Sequence, residues 1–309
     1  MEMQTVQRKK LRQDVVKKNV FVWSILFYPM LCFAVFYVYV NINSFIMAFQ
    51  KTDIYGNSVW FGFGNFKTFI KMIVEDGGIL RISFKNSIVY YLFNLCLEIP
   101  LGLIFSYLLY KKLPGSSVIR GIAMLPQVIS ALVVTLLFKN FMDNAIPAVM
   151  EQIFHKDNFP SLLSNPKYSF GTIIFYSIWT GFSSSLIVYS NAMNGVDPDV
   201  MHSAHIDGVD SMWQELFYII LPLIFGTIQT YLLTGFTSIL MNAGPLAAFF
   251  EAYAPEETYM VGYYYLSRIL RGNEHEYNML AAGGLLMTLV AAPCTWGLKK
   301  LLDKFVPEV

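Results

Sequence analysis

Apolar positions along this chain come in long blocks, with no sustained polar alternation inside them. Val20 to Phe49 carries no charged side chain at all, and comparable blocks cover 84–110, 119–141, 169–193, 217–241 and 277–299. A bilayer core needs about 20 apolar residues per helix, and backbone groups in lipid must bond internally. Each block is therefore predicted to be a membrane helix, which gives an all-α, six-span polytopic protein. Prolines at 29, 100, 126, 222 and 293 fall within or beside these blocks, where a packed membrane bundle tolerates them. Between the blocks, FGFGNFKTFIKMI (61–73) and TYMVGYYYLSRIL (258–270) mix aromatics with single cations. They suit short helices lying at the membrane surface.

Composition agrees with this pattern. Of 309 residues 55% are hydrophobic and 14% charged, with a net charge of +1 that gives no reason to expect nucleic acid as a partner. Cys32, Cys96 and Cys294 lie far apart inside apolar blocks, so neither a metal site nor a disulfide framework is indicated. The basic start followed by an apolar run could suggest a signal peptide. The run from Val20 is much longer than a signal core, so it is read as a retained first span behind a basic tail, residues 1–19. Orientation follows from the cations near span ends. Arg8, Lys9, Lys10, Arg12, Lys17 and Lys18 precede the first block, Lys111, Lys112 and Arg120 lie between the second and third, and Lys299, Lys300 and Lys304 follow the sixth. These 12 of the 22 cations share one side, and the basic tail tips the balance to a cytoplasmic N-terminus. By parity the connection between the fourth and fifth blocks is cytoplasmic too.

That connection breaks the expected sign. From Asp197 to Glu215 it holds Asp197, Asp199, Asp207, Asp210 and Glu215 and no Lys or Arg. Its local chemistry is that of two short helices around a turn. Asp197 can cap a helix with Pro198 at its first position. Gly208 is placed to end that helix in the left-handed conformation. Ser211 and Gln214 have the spacing of a capping box for the helix that leads into the fifth block, which Pro222 enters. Two readings remain open on these grounds: a plain re-entry turn, or an acidic helical knob that fits a partner's groove.

The passage resembles the EAA loop of ABC-importer permeases, written EAA-x-x-DGA with a later I-x-LP. Ala204, Ile206-Asp207-Gly208, Trp213-Gln214, Ile219 and Leu221-Pro222 match the form of the sugar-importer branch. IWTGFSSSLIVYSNAMNGVDPDVM (178–201), FGFGNFKTF, NSIVYYLFNLCLEIPLGLIFSYLLYKKLPG, RGIAMLPQVISALVVTLLF and MNAGP are similar to segments of the same branch, so the resemblance runs from about residue 20 to 304. It points to the MalF-type permease of carbohydrate uptake systems, with the type I importer permease fold over 20–304. The resemblance implies a coupling helix that sits on an ATP-binding subunit, with His202, Ser203, Ala204, Asp207 and Gly208 as coupling residues. His202 stands where the family has glutamate, Ser203 replaces an alanine, and one extra residue separates Gly208 from the LP. The implied partners are a second related permease, two ATP-binding subunits that carry ATP-Mg, and an extracellular sugar-binding lipoprotein or periplasmic protein. The resemblance further implies that the chain itself needs no cofactor and works in a bacterial or archaeal cytoplasmic membrane, among its lipids. No Walker A, GxSxG or HExxH sequence is present, so no enzyme activity is expected.

For the solute path, Trp179, Thr180, Gly181 and Ser184 in the fourth block and Ser238 and Asn242 in the fifth are the candidates. Hydroxyls and amides can bond sugar hydroxyls, and an aromatic ring can pack on a sugar face. The competing role of such small polar residues is close helix packing. Gln229, Thr230, Thr234 and Thr237 belong to the same polar set. Glu98 is the one charged residue near the middle of a block, where ionisable groups are costly. It could also be protonated or hydrogen-bonded between helices. The alternative class is a stand-alone gradient-driven transporter or channel, for which an internal repeat and paired intramembrane charges would be expected.

Overall fold

The computed structural model describes residues 2–53, 55–75, 78–155, 159–272 and 274–305. Among these, five helices are long and apolar enough to cross a membrane: span 1 Lys17–Ala48, span 2 Ile79–Tyr110, span 3 Ala131–Ile153, span 4 Pro166–Asn194 and span 6 Glu276–Phe305. Met212–Leu223 and Phe225–Ser238 together pass the same test and are bent by 70°, making a broken span 5. The all-α expectation holds, apart from one two-stranded hairpin among the described residues.

Prolines shape the spans. Ile99, Ile146 and Leu221, each just before a proline, donate to carbonyls five residues back at Asn94, Phe141 and Leu216. Proline has no N–H and its ring crowds the carbonyl four residues earlier. Widening the preceding turn into a π turn restores the backbone bonding that lipid demands. Pro222 also precedes the 70° bend, whose pivot is Ile224 (φ −93°, ψ 7°).

The expected third segment, 119–141, is corrected by the structure. The chain is extended at Ile129 and Ser130, which separates Ser116–Val128 from Ala131–Asn140. Pro126 weakens the last turn before this break, while the apolar pattern runs straight across it. Span 3 instead continues through Lys139, Asn140, Asp143 and Asn144. Those polar groups are satisfied locally: Lys139 Nζ donates to the Phe249 carbonyl at 2.6 Å, Asn144 donates to Asn140, and Asp143 accepts from Ser161, Ser164 and the Leu163 amide.

The chain divides into two compact units. Residues 1–69 with 277–285 form one, and 70–276 with 286–309 form the other. In the first, the backbone of the basic tail is helical from Glu2 and continuous with span 1. Gln50–Thr52 pairs antiparallel with Ser58–Trp60. Asn65 ties the hairpin to span 1 by donating to the carbonyls of Ala48 (2.9 Å) and Gln50 (2.7 Å). Both segments expected to form short helices are helical, as Gly64–Val74 and Val261–Leu270.

In the second unit, spans 2 and 4 approach closely at small residues. Ser106 donates to the Leu186 carbonyl, and a Cβ at Gly102 would collide with Ser185. Ser183 donates to the Ala123 carbonyl. These serines serve helix packing. A core of Tyr107, Tyr189, Met193, Met201, Leu216, Ile220, Ile224 and Ile228 joins the ends of spans 2 and 4 to the bent span 5.

Candidate functional site: a capped knob and an acidic cavity

The 197–215 connection folds as its residues require. Asp197 caps the helix Pro198–Ile206 by accepting from the Asp199 amide at 2.9 Å, with Pro198 at the first position. At the other end, the Gly208 amide donates to the His205 carbonyl and the Val209 amide to the Ala204 carbonyl, with Gly208 at φ +93°. That pair of bonds is a Schellman motif, and its left-handed residue is the glycine. Ser211 and Gln214 then form the capping box that starts the next helix.

One side of the short helix is anchored. Met201 and Ala204 are buried, Met201 in the span core. His202, Ser203, Asp207 and Gly208 are exposed on the other side, and Ile206 is 86% exposed although apolar. Of the five coupling candidates, Ala204 therefore faces inward, while the other four lie on the free surface. Ser203 also bonds back to the Asp199 carbonyl at 2.9 Å.

The acidic residues of the connection divide into two groups. Asp197, Asp199, Asp207 and Asp210 are exposed. Glu215 is 2% exposed and accepts a 2.5 Å ion pair from Lys111, at the end of span 2. His205 Nε2 lies 4.0 Å from the same Glu215 oxygen, and His205 Nδ1 is bonded to the Val209 carbonyl. Lys111 Nζ also lies 5.9 Å from the centre of the Tyr107 ring. A single buried carboxylate thus joins span 2, the knob and the start of span 5. In the sequence Glu215 is one of five acidic residues of the connection, with nothing to set it apart. Its partner is 104 positions away, and no local signal marks the pair.

The solute-path candidates separate as well. Ser238 and Asn242 line a cavity of about 200 Å³ together with Tyr90, Tyr91, Asn94, Glu98, Tyr231 and Thr234. Gly181 lies beside that cavity, because a Cβ there would meet the Glu98 carboxylate at 2.5–2.8 Å. Thr180 lines a different hollow with Gln127 and Tyr176, and Ser184 accepts a bond from Gln127. Trp179 is 40% exposed and joins an aromatic cluster, 6.2 Å from Phe138 and 6.1 Å from Tyr176. Gln229 is occupied by Asp303 at 2.6 Å, and Thr230, Thr234 and Thr237 bond back to their own helix. Glu98 has no ion-pair partner among the described residues.

Residues 98–306 match the family of binding-protein-dependent transport system inner membrane components. The chain belongs to that family. It is a membrane-embedded transport subunit, and the gradient-driven alternative is set aside. Among similar proteins is the multiple sugar-binding transport system permease protein MsmF of Streptococcus mutans, 26% identical over 67% of this chain and 70% of the relative. The galactooligosaccharides transport system permease protein GanP of Bacillus subtilis is 27% identical over 63% of this chain and 48% of the relative. In fold, the chain is similar to a crystal structure of a bacterial ABC transporter involved in alginate import. That match covers 96% of this chain and 100% of the solved one, with a TM-score of 0.78 and 20% identity. A second structure, of the alginate transporter in complex with a periplasmic protein bound to alginate pentasaccharide, matches over 92% of this chain and 94% of the solved one, with a TM-score of 0.74 and 20% identity.

Proposed function

We propose that this permease moves a sugar or oligosaccharide inward as half of a pair with a second related permease. One of two ATP-binding subunits, which carry ATP-Mg, docks on the 197–215 knob, and a sugar-binding protein delivers the solute at the opposite face. The N-terminus and the knob lie on the cytoplasmic side of a bacterial or archaeal membrane. The carrying observation is the knob itself: a doubly capped helix, anchored by Met201 and Ala204, that turns His202, Ser203, Ile206 and Asp207 outward. An exposed isoleucine ringed by polar groups suits an anchor in a partner's groove. The sugar assignment is supported by the relatives, which are named for sugar and galactooligosaccharide transport.

The chain alone is expected neither to hydrolyse ATP nor to take up sugar in liposomes, and to gain both when all partners are added. Gradient-driven uptake by the single purified chain would sink this reading. A narrower test concerns Trp179. Its ring contacts are worth roughly 0.5–1.5 kcal/mol each, too little to prevent assembly when lost. Trp179→Ala is expected to lower sugar transport in a normally assembled complex. Unchanged kinetics would assign the ring to packing against Phe138 and Tyr176 alone.

A further inference from the structure

We infer that the cavity around Glu98 selects a saccharide bearing a cationic amine, with Glu98 as counter-ion to the ammonium group. This inference rests on the sugar-importer reading above and narrows its substrate class. Glu98 lies in the middle of span 2 and has no ion pair among the described residues. An uncompensated carboxylate at that depth is costly, and proteins keep such groups where a cation or a functional pathway meets them. Behind the carboxylate, Gly181 of span 4 gives it room that any side chain would take. In front, it borders a cavity whose wall includes Tyr90, Tyr91 and Tyr231. Aromatic faces and a carboxylate around one small space favour an ammonium ion over a neutral group, by charge and by cation–π attraction. In the same wall Asn94 Oδ1 is a buried acceptor without a hydrogen-bond partner among the described residues, suited to a ligand hydroxyl or ammonium group. Ser238, by contrast, donates to the Gly235 carbonyl, and Asn242 Oδ1 accepts from the Gly244 amide.

Size narrows the ligand further. At about 200 Å³ the cavity is small against the roughly 300–1,000 Å³ of ordinary ligand pockets, so it takes one sugar ring of a chain at a time. The same charge repels a uronate ring, so the cavity disfavours acidic saccharides such as the alginate carried by the fold neighbour.

The test uses the complete importer in proteoliposomes, with both permeases, the ATP-binding subunits and the binding protein. Uptake and solute-stimulated ATP hydrolysis are measured with a glucosamine disaccharide, its neutral N-acetylated form, cellobiose and a galacturonate disaccharide. The glucosamine disaccharide is expected to be taken up in preference to the other three. Glu98→Gln, which keeps the shape and removes the charge, should cut that uptake at least tenfold, while Glu98→Asp retains part of it and all variants co-purify with their partners. Preferred uptake of a neutral saccharide, whether or not Glu98→Gln affects it, overturns the cationic class and leaves the sugar-importer reading intact. So does preferred uptake of the galacturonate disaccharide. Uptake of none of the saccharides, with another solute class transported instead, overturns both.

Discussion

Lys111→Ala is expected to uncouple the assembled importer, lowering solute-stimulated ATP hydrolysis at least tenfold while the chain still inserts into the membrane. The substitution leaves Glu215, 2% exposed, with no lysine partner. Removing one partner of a buried ion pair costs about 3 kcal/mol, at the lower end of the usual range because the Lys111 side chain is 28% exposed. Spans 2, 4 and 5 share an apolar core that the substitution leaves intact, so the loss falls on the joint between span 2, the knob and span 5. Lys111→Met with Glu215→Met separates stability from coupling. An apolar pair of similar size removes the stranded charge and should restore detergent stability. It cannot restore the directional link to His205, so coupling should stay impaired. Thermal unfolding of the purified complex reads the first quantity and solute-stimulated hydrolysis the second. Wild-type coupling in the Lys111→Ala complex would show that the ion pair only fastens the loop.

The location of this joint gives the coupling a physical route. The knob helix is tied at Met201 to the core that includes Tyr107 and Tyr189, and Ala204 is buried as well. Lys111 closes span 2, the helix that also carries Glu98 and most of one cavity wall. In the proposed assembly, a displacement of the knob by a closing ATP-binding subunit would reach span 2 through one charged contact and span 5 through covalent continuity. Span 5 is broken by 70° after Pro222, and its distal half supplies Tyr231, Thr234, Ser238 and Asn242 to the cavity. Both walls of the cavity are thus connected to the knob.

Local chemistry was readable from the sequence and distant pairing was not. Asp197-Pro198, Gly208 and Ser211 with Gln214 each specify backbone bonds within a few residues, and all three form as expected. The apolar blocks likewise placed the spans, since lipid leaves the backbone few alternatives. The break at Ile129–Ser130 was hidden because both residues suit an apolar run. The 70° bend was hidden for a related reason: proline in a membrane helix is compatible with a straight, kinked or broken course. The hairpin Gln50–Thr52 with Ser58–Trp60 is too short to show alternation. The division of the polar residues in spans 4 and 5 between cavity wall and packing depends on which way each helix is turned. That rotation is set by contacts such as Gly102 against Ser185 and Gly181 against Glu98, which span separate blocks of sequence.

Gly208→Val is expected to release the ATP-binding subunit while leaving the membrane bundle intact. Gly208 has φ +93°, a region that β-branched residues enter only with strain of roughly 1–3 kcal/mol. Space is not the obstacle, since a Cβ at this position meets no atom within 4 Å. The penalty is therefore conformational, and the chain relieves it by abandoning the left-handed turn. The two bonds of the Schellman motif, Gly208 to His205 and Val209 to Ala204, are lost with it. The helix Pro198–Ile206 then ends differently, and Ile206, His202 and Ser203 no longer present the same surface. Because the strain follows from φ and not from bulk, Gly208→Ala should weaken docking less than Gly208→Val, and Gly208→Asn, which tolerates left-handed backbone, least of the three. Co-purification of the ATP-binding subunit with a tagged permease measures the ranking, and the amount of permease in the membrane controls for folding. Equal retention of the subunit by all three variants, with uptake at the wild-type level, would show that 197–215 is a connecting turn and that docking lies elsewhere.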